Sequence, residues 1–338
     1  MSAVSDKAQL ETQRVRTHIL SRFLEAQPQY VSGGELAKEL KMTRTAVWKH
    51  IQTLQDLGFS FEAAPRRGYR LMDSPDLVLE PLLRPLLAPA AELGQRVYWY
   101  PSLPSTNRLA SDLAQDDSIP HGCVITAKEQ VSGRGRQGKQ WASPAGGLWL
   151  SVILKRPVPL ARAAELTLMA SVAVLRAVRQ VTGVSLAIKW PNDLLFQGKK
   201  VCGILAELRA GGESVNHAIL GIGLNANVPV DSLPKEVRNI ATSLSIASGQ
   251  ECSTLQLTRH ILGEFEAMYL SLVQGEAGFK GVVEEWRRNC VTLGQEIRVQ
   301  TPAGLVTGLA RRVDDQGVLY IQPDSSREIA IHSGEVLF

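Results

Sequence analysis

The sequence is poor in the features that mark metal, disulfide or membrane proteins. Its four cysteines, Cys123, Cys202, Cys252 and Cys290, lie far apart, with no C-x-x-C pair and no histidine cluster beside any of them. That argues against a zinc site and against a disulfide framework, and leaves reduced thiols. Met1 to Gln13 is polar and lacks the apolar core of a secretion signal, and no apolar run approaches the ~20 residues that span a bilayer. A soluble, cytoplasmic protein is the expectation. Neither sign of charge dominates: 37 Lys+Arg against 33 Asp+Glu give a formal +4, which permits an anionic partner without demanding one. Internal repeats and low-complexity tracts are also missing. What remains is an ordinary globular composition, 44% hydrophobic and 21% charged, over 338 residues, enough for two or three domains with real cores.

The mild basicity is uneven. Residues 1–75 hold 11 Lys+Arg against 8 Asp+Glu, so most of the net charge sits in the first quarter. There Val15, Ile19, Leu20 and Phe23 recur at helical spacing. Ser32 with Glu35 three residues on reads as a capping box for a helix whose apolar face is Leu36, Ala37 and Leu40. Thr43 opens a third helix with Ala46, Val47, Ile51, Leu54 and Leu57 turned inward, and Gly58 closes it. The short link Lys41-Met42 makes a helix-turn-helix. Its third helix carries Arg44, Thr45, Trp48, Lys49 and Gln52 outward, residues able to reach phosphates and base edges. Phe59 to Glu62 and Gly68 to Leu71 follow as a two-stranded wing with Arg66 and Arg67 at its tip. A three-helix module for protein contact is the competing reading.

Pro75, Pro81, Pro85 and Pro89 among leucines mark residues 76–95 as a linker with a short docking helix. Strands and helices then alternate over 96–290, with tight turns such as Gln197-Gly198-Lys199. This predicts an α+β domain, a mixed and largely antiparallel sheet backed by helices. Residues 291–338 are nearly all short strands, the pattern of a small β-barrel.

Three motifs in the central segment carry chemistry. Ser132-Gly133-Arg134-Gly135-Arg136-Gln137-Gly138 places two guanidinium forks among glycines that let backbone N–H groups approach an anion. Such a run also occurs in flexible loops and RNA-binding tails, but here two apolar strands bracket it, Gly122–Ala127 before and Gly147–Leu154 after. Lys189-Trp190-Pro191-Asn192-Asp193 ends a strand at a proline, so Lys189 either reaches solvent or aims its ammonium at a bound anion. Asn192 and Asp193 are either turn formers or oxygen ligands of the kind Mg²⁺ uses beside phosphates. Gly221-Ile222-Gly223-Leu224-Asn225 leaves one strand face bare, either for a flat ligand or for tight packing; with no helix closely following, a dinucleotide fold is not supported.

In this order, and together with Ser105-Thr106-Asn107, these features resemble the bacterial bifunctional biotin protein ligase and biotin operon repressor family across nearly the whole chain. The resemblance implies a winged helix-turn-helix over 1–75, a biotin/lipoate-ligase catalytic domain over 96–290 and an SH3-like β-barrel over 291–338. It implies that biotin and MgATP give biotinyl-5′-AMP and pyrophosphate. The mixed anhydride then acylates a lysine of the biotin carboxyl carrier protein of acetyl-CoA carboxylase. It implies too that the adenylate-loaded protein dimerises and represses biotin synthesis genes on operator DNA, for which Arg44, Thr45, Trp48, Lys49, Arg66 and Arg67 are the candidate contacts.

Adenylation brings a carboxylate against an α-phosphate, so fixed cations must offset the repulsion; Lys189, Arg134 and Arg136 are the candidates. By the resemblance, Ser105, Thr106 and Gln130 meet the ureido end of biotin and Gly221 and Gly223 wall it. Asn107, Gly133 and Gly135 complete the biotin and adenylate site, and Asn225 contacts the nucleotide. The attacking groups are biotin's carboxylate and the acceptor's lysine, so no covalent nucleophile is needed. Some family members stack a tryptophan on adenine, whereas Ile240-Ala241-Thr242-Ser243-Leu244 offers no aromatic. The rivals are lipoate transfer on the same fold and a regulator that has lost ligase activity. Retention of Lys189 and of the paired arginines favours a biotin ligase over both.

Overall fold

The computed structural model describes residues 3–211, 214–274, 279–324 and 327–337. The chain divides into two compact units, Met1–Leu86 and Leu87–Phe338.

The first unit holds α1 (Ala3–Ala26), α2 (Gly33–Glu39), α3 (Arg44–Asp56), the antiparallel pair β1 (Ser60–Ala64) and β2 (Gly68–Asp73), and the short α4 (Glu80–Leu83). Local chemistry sets the helix starts. Ser32 Oγ accepts from the Gly34 amide and Thr43 Oγ1 from the Ala46 amide, each at 3.2 Å, satisfying donors the helices leave open. Gly68 has φ +104°, and a Cβ there would lie 2.1 Å from the Val31 carbonyl oxygen, so only glycine fits where β2 meets the chain before α2. Ile19, Leu20, Phe23, Leu36, Val47, Ile51, Leu54, Phe59 and Leu71 form the core.

The second unit is built on a mixed sheet of β3 (Val97–Leu103), β4 (Val124–Arg134), β5 (Gln140–Ser143), β6 (Leu148–Leu154), β7 (Val158–Pro159), β8 (Ala187–Lys189), β9 (Asp193–Phe196), β10 (Lys199–Gly211) and β11 (Ser214–Leu224). Its main order is β3-β4-β6-β11-β10-β9-β8, with β5 paired to β4 and β7 to β11. Only β3 and β4 run parallel; the other pairs are antiparallel. Gln197 and Gly198, at φ 49° and 80°, make the tight β9–β10 turn. Helices α5 (Thr106–Leu113), α6 (Glu165–Thr182), α7 (Leu244–Ser248), α8 (Thr254–Val273) and α9 (Phe279–Arg288) complete this part. Buried α6 packs on both α8 and α9, and Arg176 ties the three together through Glu264 at 2.9 Å and Glu285 at 2.6 Å. The last stretch is a five-stranded antiparallel sheet, β15-β14-β13-β12-β16, of β12 (Glu296–Thr301), β13 (Gly304–Val313), β14 (Leu319–Gln322), β15 (Ile329–Ile331) and β16 (Glu335–Leu337).

Among the differences from the sequence reading are the length of β4 and the presence of α9. The strand that was to stop at Ala127 continues to Arg134, because Gly133 and Arg134 pair with Trp141 and Gln140 of β5, so much of the expected loop is a hairpin arm. Helix α9 was not anticipated, although Val282, Val283 and Trp286 form its buried face. Among the described residues no helix is long and apolar enough to cross a membrane.

Candidate ligand pocket and nucleic-acid face

The pocket floor is a buried polar network. Ser105 caps α5, its Oγ accepting from the Arg108 amide at 3.4 Å, and this brings Thr106 and Asn107 against the sheet. The Thr106 amide and hydroxyl both donate to Gln130 Oε1, at 2.7 and 3.1 Å, and Gln130 Nε2 donates to Ser143 Oγ at 2.7 Å. Ser151 Oγ lies 2.8 Å from Thr106 Oγ1 and 2.6 Å from Asn107 Oδ1; Asn107 Nδ2 donates to Glu207 Oε2 at 2.8 Å. A Cβ on Gly221 would fall 2.1 Å from Asn107 Oδ1, so the bare strand makes room first for this carboxamide. Networks of this kind hold a fixed shape when every member is partnered.

Above the floor stands the β4–β5 arm. At its tip Arg136–Gly138 form a single 3₁₀ turn with Gln137 at φ 55° and Gly138 at φ 75°. Gly133 serves close approach instead: a Cβ there would sit 2.4 Å from the Trp141 carbonyl oxygen. Each cation of the arm is held. Arg134 Nη1 meets Glu207 Oε1 at 3.2 Å, and Lys139 pairs with Glu335 on β16. Arg136 donates to Asn192 Oδ1 at 3.4 Å and to Ser333 Oγ at 3.1 Å. Burial lowers the Arg136 pKa below the usual guanidinium value, against the opposing pull of Asp193 and Glu335.

The third side is the turn after β8. Trp190 anchors it: the backbone amide donates to Thr292 Oγ1 at 3.0 Å and the indole to the Gly317 carbonyl at 2.9 Å. Lys189 stands opposite Asp193 in the β8–β9 register, and burial lowers its pKa below the ordinary lysine value, partly offset by Asp193. Lys200 pairs with Asp193 at 2.8 Å and lies 4.9 Å from the centre of the Trp141 ring. That indole covers Gly203 and Gly223, cross-strand partners whose added Cβ atoms would each come within 2.7 Å of it. Its buried Nε1 has no hydrogen-bond partner, leaving a donor beside the cavity.

Of the residues singled out from sequence, Ser105, Thr106, Asn107, Gln130, Arg134, Gly135, Arg136, Lys189, Asn192, Asp193, Gly221 and Gly223 all line this one cavity. Gly133 and Asn225 are not among its lining residues; Asn225 is buried and donates to the Thr242 carbonyl at 3.0 Å. The sequence reading missed Lys139, Trp141, Lys200, Gly203 and Glu335, which also line it, and Ser151 and Glu207, which support it.

The donors do not build a cage for a cation. Asp193 is the only carboxylate of its turn and is paired with Lys200, while Asn192 Oδ1 faces Arg136. Among the described residues no group of three or more His, Cys, Asp or Glu is placed to hold a metal. All four cysteines are buried and none is in a disulfide, and burial pushes the Cys202 and Cys290 thiols up, which keeps those two protonated.

In the first unit α3 buries Val47, Ile51 and Leu54 and presents Arg44, Thr45, Trp48 and Lys49 outward, Trp48 at 46% exposure. Arg66 and Arg67 lie at the exposed wing turn, where Arg66 takes φ 64° and the Arg67 guanidinium stacks 4.1 Å from the centre of the Tyr30 ring. The exposed Arg44, Lys49, Arg66 and Arg67 are of the residue types that reach phosphates and base edges.

Comparison with known proteins bears on both sites. Residues 15–70 match the HTH domain model, 99–225 the biotin/lipoate A/B protein ligase family and 292–338 the biotin protein ligase C terminal domain. The bifunctional ligase/repressor BirA of Bacillus spizizenii is 37% identical over 309 residues, covering 91% of this chain and 94% of that protein. The chain belongs to the BirA ligase/repressor family. The BirA of Escherichia coli is 29% identical over 92% of this chain and 95% of its own. A solved Aquifex aeolicus biotin protein ligase, in complex with biotin and ATP, superposes with a TM-score of 0.60 at 27% identity, covering 72% of this chain and 98% of that one. Within the BirA family frame, the cations of the cavity lie in the segment that matches the ligase model, with Gly334, Glu335 and Val336 added from the C-terminal match, and the basic helix lies in the segment that matches the HTH model.

Proposed function

We propose that this protein activates biotin with ATP and transfers it to a lysine of the biotin carboxyl carrier protein of acetyl-CoA carboxylase. In this reading the adenylate-loaded form dimerises and represses biotin synthesis genes through the first unit. The observation that carries it is the meeting, in one cavity, of a neutral polar floor with the cations Arg134, Arg136, Lys139, Lys189 and Lys200. The floor suits the uncharged ureido end of biotin, and the cations suit a carboxylate meeting a triphosphate. The working division is 1–75 for DNA, 76–95 as linker, 96–290 for catalysis and 291–338 for the small β domain.

In the first step a carboxylate oxygen of biotin attacks the α-phosphorus of ATP, and the bond to the bridging oxygen of the β-phosphate breaks as pyrophosphate leaves. Two anions must approach, so the Lys189 ammonium, already partly desolvated at the strand end, supplies positive charge where negative charge accumulates. Arg134 and Arg136, carried on the arm, close over the anhydride and exclude water. In the second step the acceptor lysine, as the free amine, attacks the biotinyl carbonyl and AMP leaves. Mg²⁺ accompanying the nucleotide would neutralise phosphate charge, and Asn192 and Asp193, which line the cavity and are engaged by Arg136 and Lys200, are the residues that would reach it. Asn225 acts at one remove, holding the end of β11 to the Thr242 carbonyl.

The test is ATP-dependent incorporation of labelled biotin into an isolated carrier domain, with lipoate as competitor, and titration of a biotin-gene promoter fragment with and without biotin plus ATP. Incorporation that lipoate does not suppress, with tighter promoter binding in the loaded state, supports both activities. Preference for lipoate, or absence of transfer, overturns the ligase assignment.

A further inference from the structure

Glu207 belongs to neither the floor nor the arm, yet it holds both. Its Oε2 accepts from Asn107 Nδ2 at 2.8 Å and its Oε1 from Arg134 Nη1 at 3.2 Å. Asn107 is pressed flat against Gly221 and fixed at its other end by Ser151, which also contacts Thr106. Thr106 in turn binds Gln130 on β4, and Gln130 reaches Ser143 on β5. The contacts therefore leave the arm at Arg134, cross the floor and return to the base of the same arm.

We propose that Glu207 is a positioning residue which couples occupancy of the polar floor to the seating of Arg134 over the reaction intermediate. A carboxylate suits this position because it accepts two hydrogen bonds on separate oxygens, and its charge binds a guanidinium that is itself half exposed. A ligand that draws on Asn107 changes what Glu207 offers Arg134. A neutral carboxamide would keep one acceptor and turn a donor toward the other partner. This inference rests on the ligase reading of the same cavity.

Three variants separate the two hands. In Glu207→Gln the carboxamide oxygen keeps Asn107, so the biotin KM stays within about twofold of the unaltered protein, while adenylate dissociates about tenfold faster, as in Arg134→Ala. Glu207→Ala loses both contacts and raises the biotin KM as well. The Arg134→Ala, Glu207→Gln double variant dissociates adenylate no faster than Arg134→Ala alone, because both changes break one coupling. A readout independent of catalysis accompanies these: amide hydrogen exchange in the ligand-free full chain, where Glu207→Ala lowers protection across Val131–Gln140. An adenylate off-rate unchanged in Glu207→Gln, additive effects in the double variant, or unaltered exchange in Glu207→Ala each overturns the coupling. If the unaltered protein makes no adenylate, the ligase reading falls, and the exchange measurement still decides whether Glu207 seats the arm.

Discussion

The two basic surfaces of this protein use the same residue types under opposite conditions. On α3 and the wing, Arg44, Lys49, Arg66 and Arg67 stand in water, where their field is screened within a Debye length and acts on a polyanion that arrives with its own counterions. In the cavity, Arg134, Arg136, Lys139 and Lys200 are each set against a named acid or carbonyl-type oxygen; Arg136 and Lys189 are partly desolvated, whereas Arg134 and Lys139 at the arm stay exposed. Exposed charges steer and accumulate; enclosed ones hold a potential in place before the substrate enters. The first surface should respond to salt and tolerate small displacements. At the partly desolvated Arg136 and Lys189 the second should respond less to salt and tolerate less displacement.

The largest effect is expected at Lys189. Replacing it with alanine should slow adenylate formation by the equivalent of about 2.7–4 kcal/mol, the cost of removing one preorganised charge-stabilising donor. Pyrophosphate exchange measures it, and an unchanged rate would remove Lys189 from the mechanism. The protonation sign adds a sharper form. The ammonium is the useful state and burial lowers its pKa, so exchange should fall as pH rises through that lowered value, earlier than for an ordinary lysine. Lys189→Arg keeps the charge and should lose this alkaline limb; a limb that persists belongs to another group.

Next comes the fit of the floor. Gly221→Ala would place a Cβ 2.1 Å from Asn107 Oδ1, with backbone on one side and a hydrogen-bonded carboxamide on the other. Overpacking of this kind costs about 1–3 kcal/mol. The expected result is a raised biotin KM with a smaller change in kcat, read from steady-state adenylation. A lower kcat at unchanged KM would mean that Gly221 does not shape the biotin end of the cavity.

Arg136→Ala tests enclosure from the other side. The variant should still make the adenylate but release it, labelling lysines on unrelated proteins in a mixture. Labelling confined to the carrier domain would show that the arm does not retain the intermediate.

The contrast between the surfaces also explains what the sequence could disclose. The helix-turn-helix is local: caps at Ser32 and Thr43 and an apolar face at Val47, Ile51 and Leu54 are written within a few residues of one another. The cavity motifs were legible as motifs, since glycine spacing and a lysine before a proline are local too. Their partners were not. Glu207 meets Asn107 across 100 positions, and Lys139 meets Glu335 across 196, so only the folded chain shows which acid tempers which base. The continuation of β4 to Arg134 escaped for a related reason: its apolar run ends at Ala127, and pairing with β5 rather than burial carries it onward.

Coupling between the two surfaces is the next quantity. Biotin with ATP should tighten operator binding by a factor of roughly 5–150, the range of a 1–3 kcal/mol coupling, and operator DNA should raise adenylate affinity by the same factor. Equal operator affinity in apo and loaded states would refute the coupled-repressor reading. Ligase activity that survives removal of residues 1–86 would leave the catalytic reading standing.

The smallest effect is the most specific to the opening contrast. Each lysine or arginine that neutralises one phosphate on duplex DNA releases condensed counterions, contributing about 0.9 to the slope of log affinity against log salt. Lys49 is exposed on the outward face of α3, one turn beyond Arg44 and Thr45. Lys49→Ala should therefore lower that slope by about one unit on operator and unrelated DNA alike. Trp48→Ala carries no charge change and should leave the slope alone while reducing preference for the operator, because an apolar ring contributes through base-edge contact. Neither substitution should alter pyrophosphate exchange, whose cations lie in the other unit. A slope unchanged in Lys49→Ala would place the phosphate contacts elsewhere on the basic face, and a slope reduced in Trp48→Ala would mean that the substitution shifts the helix rather than removing one contact.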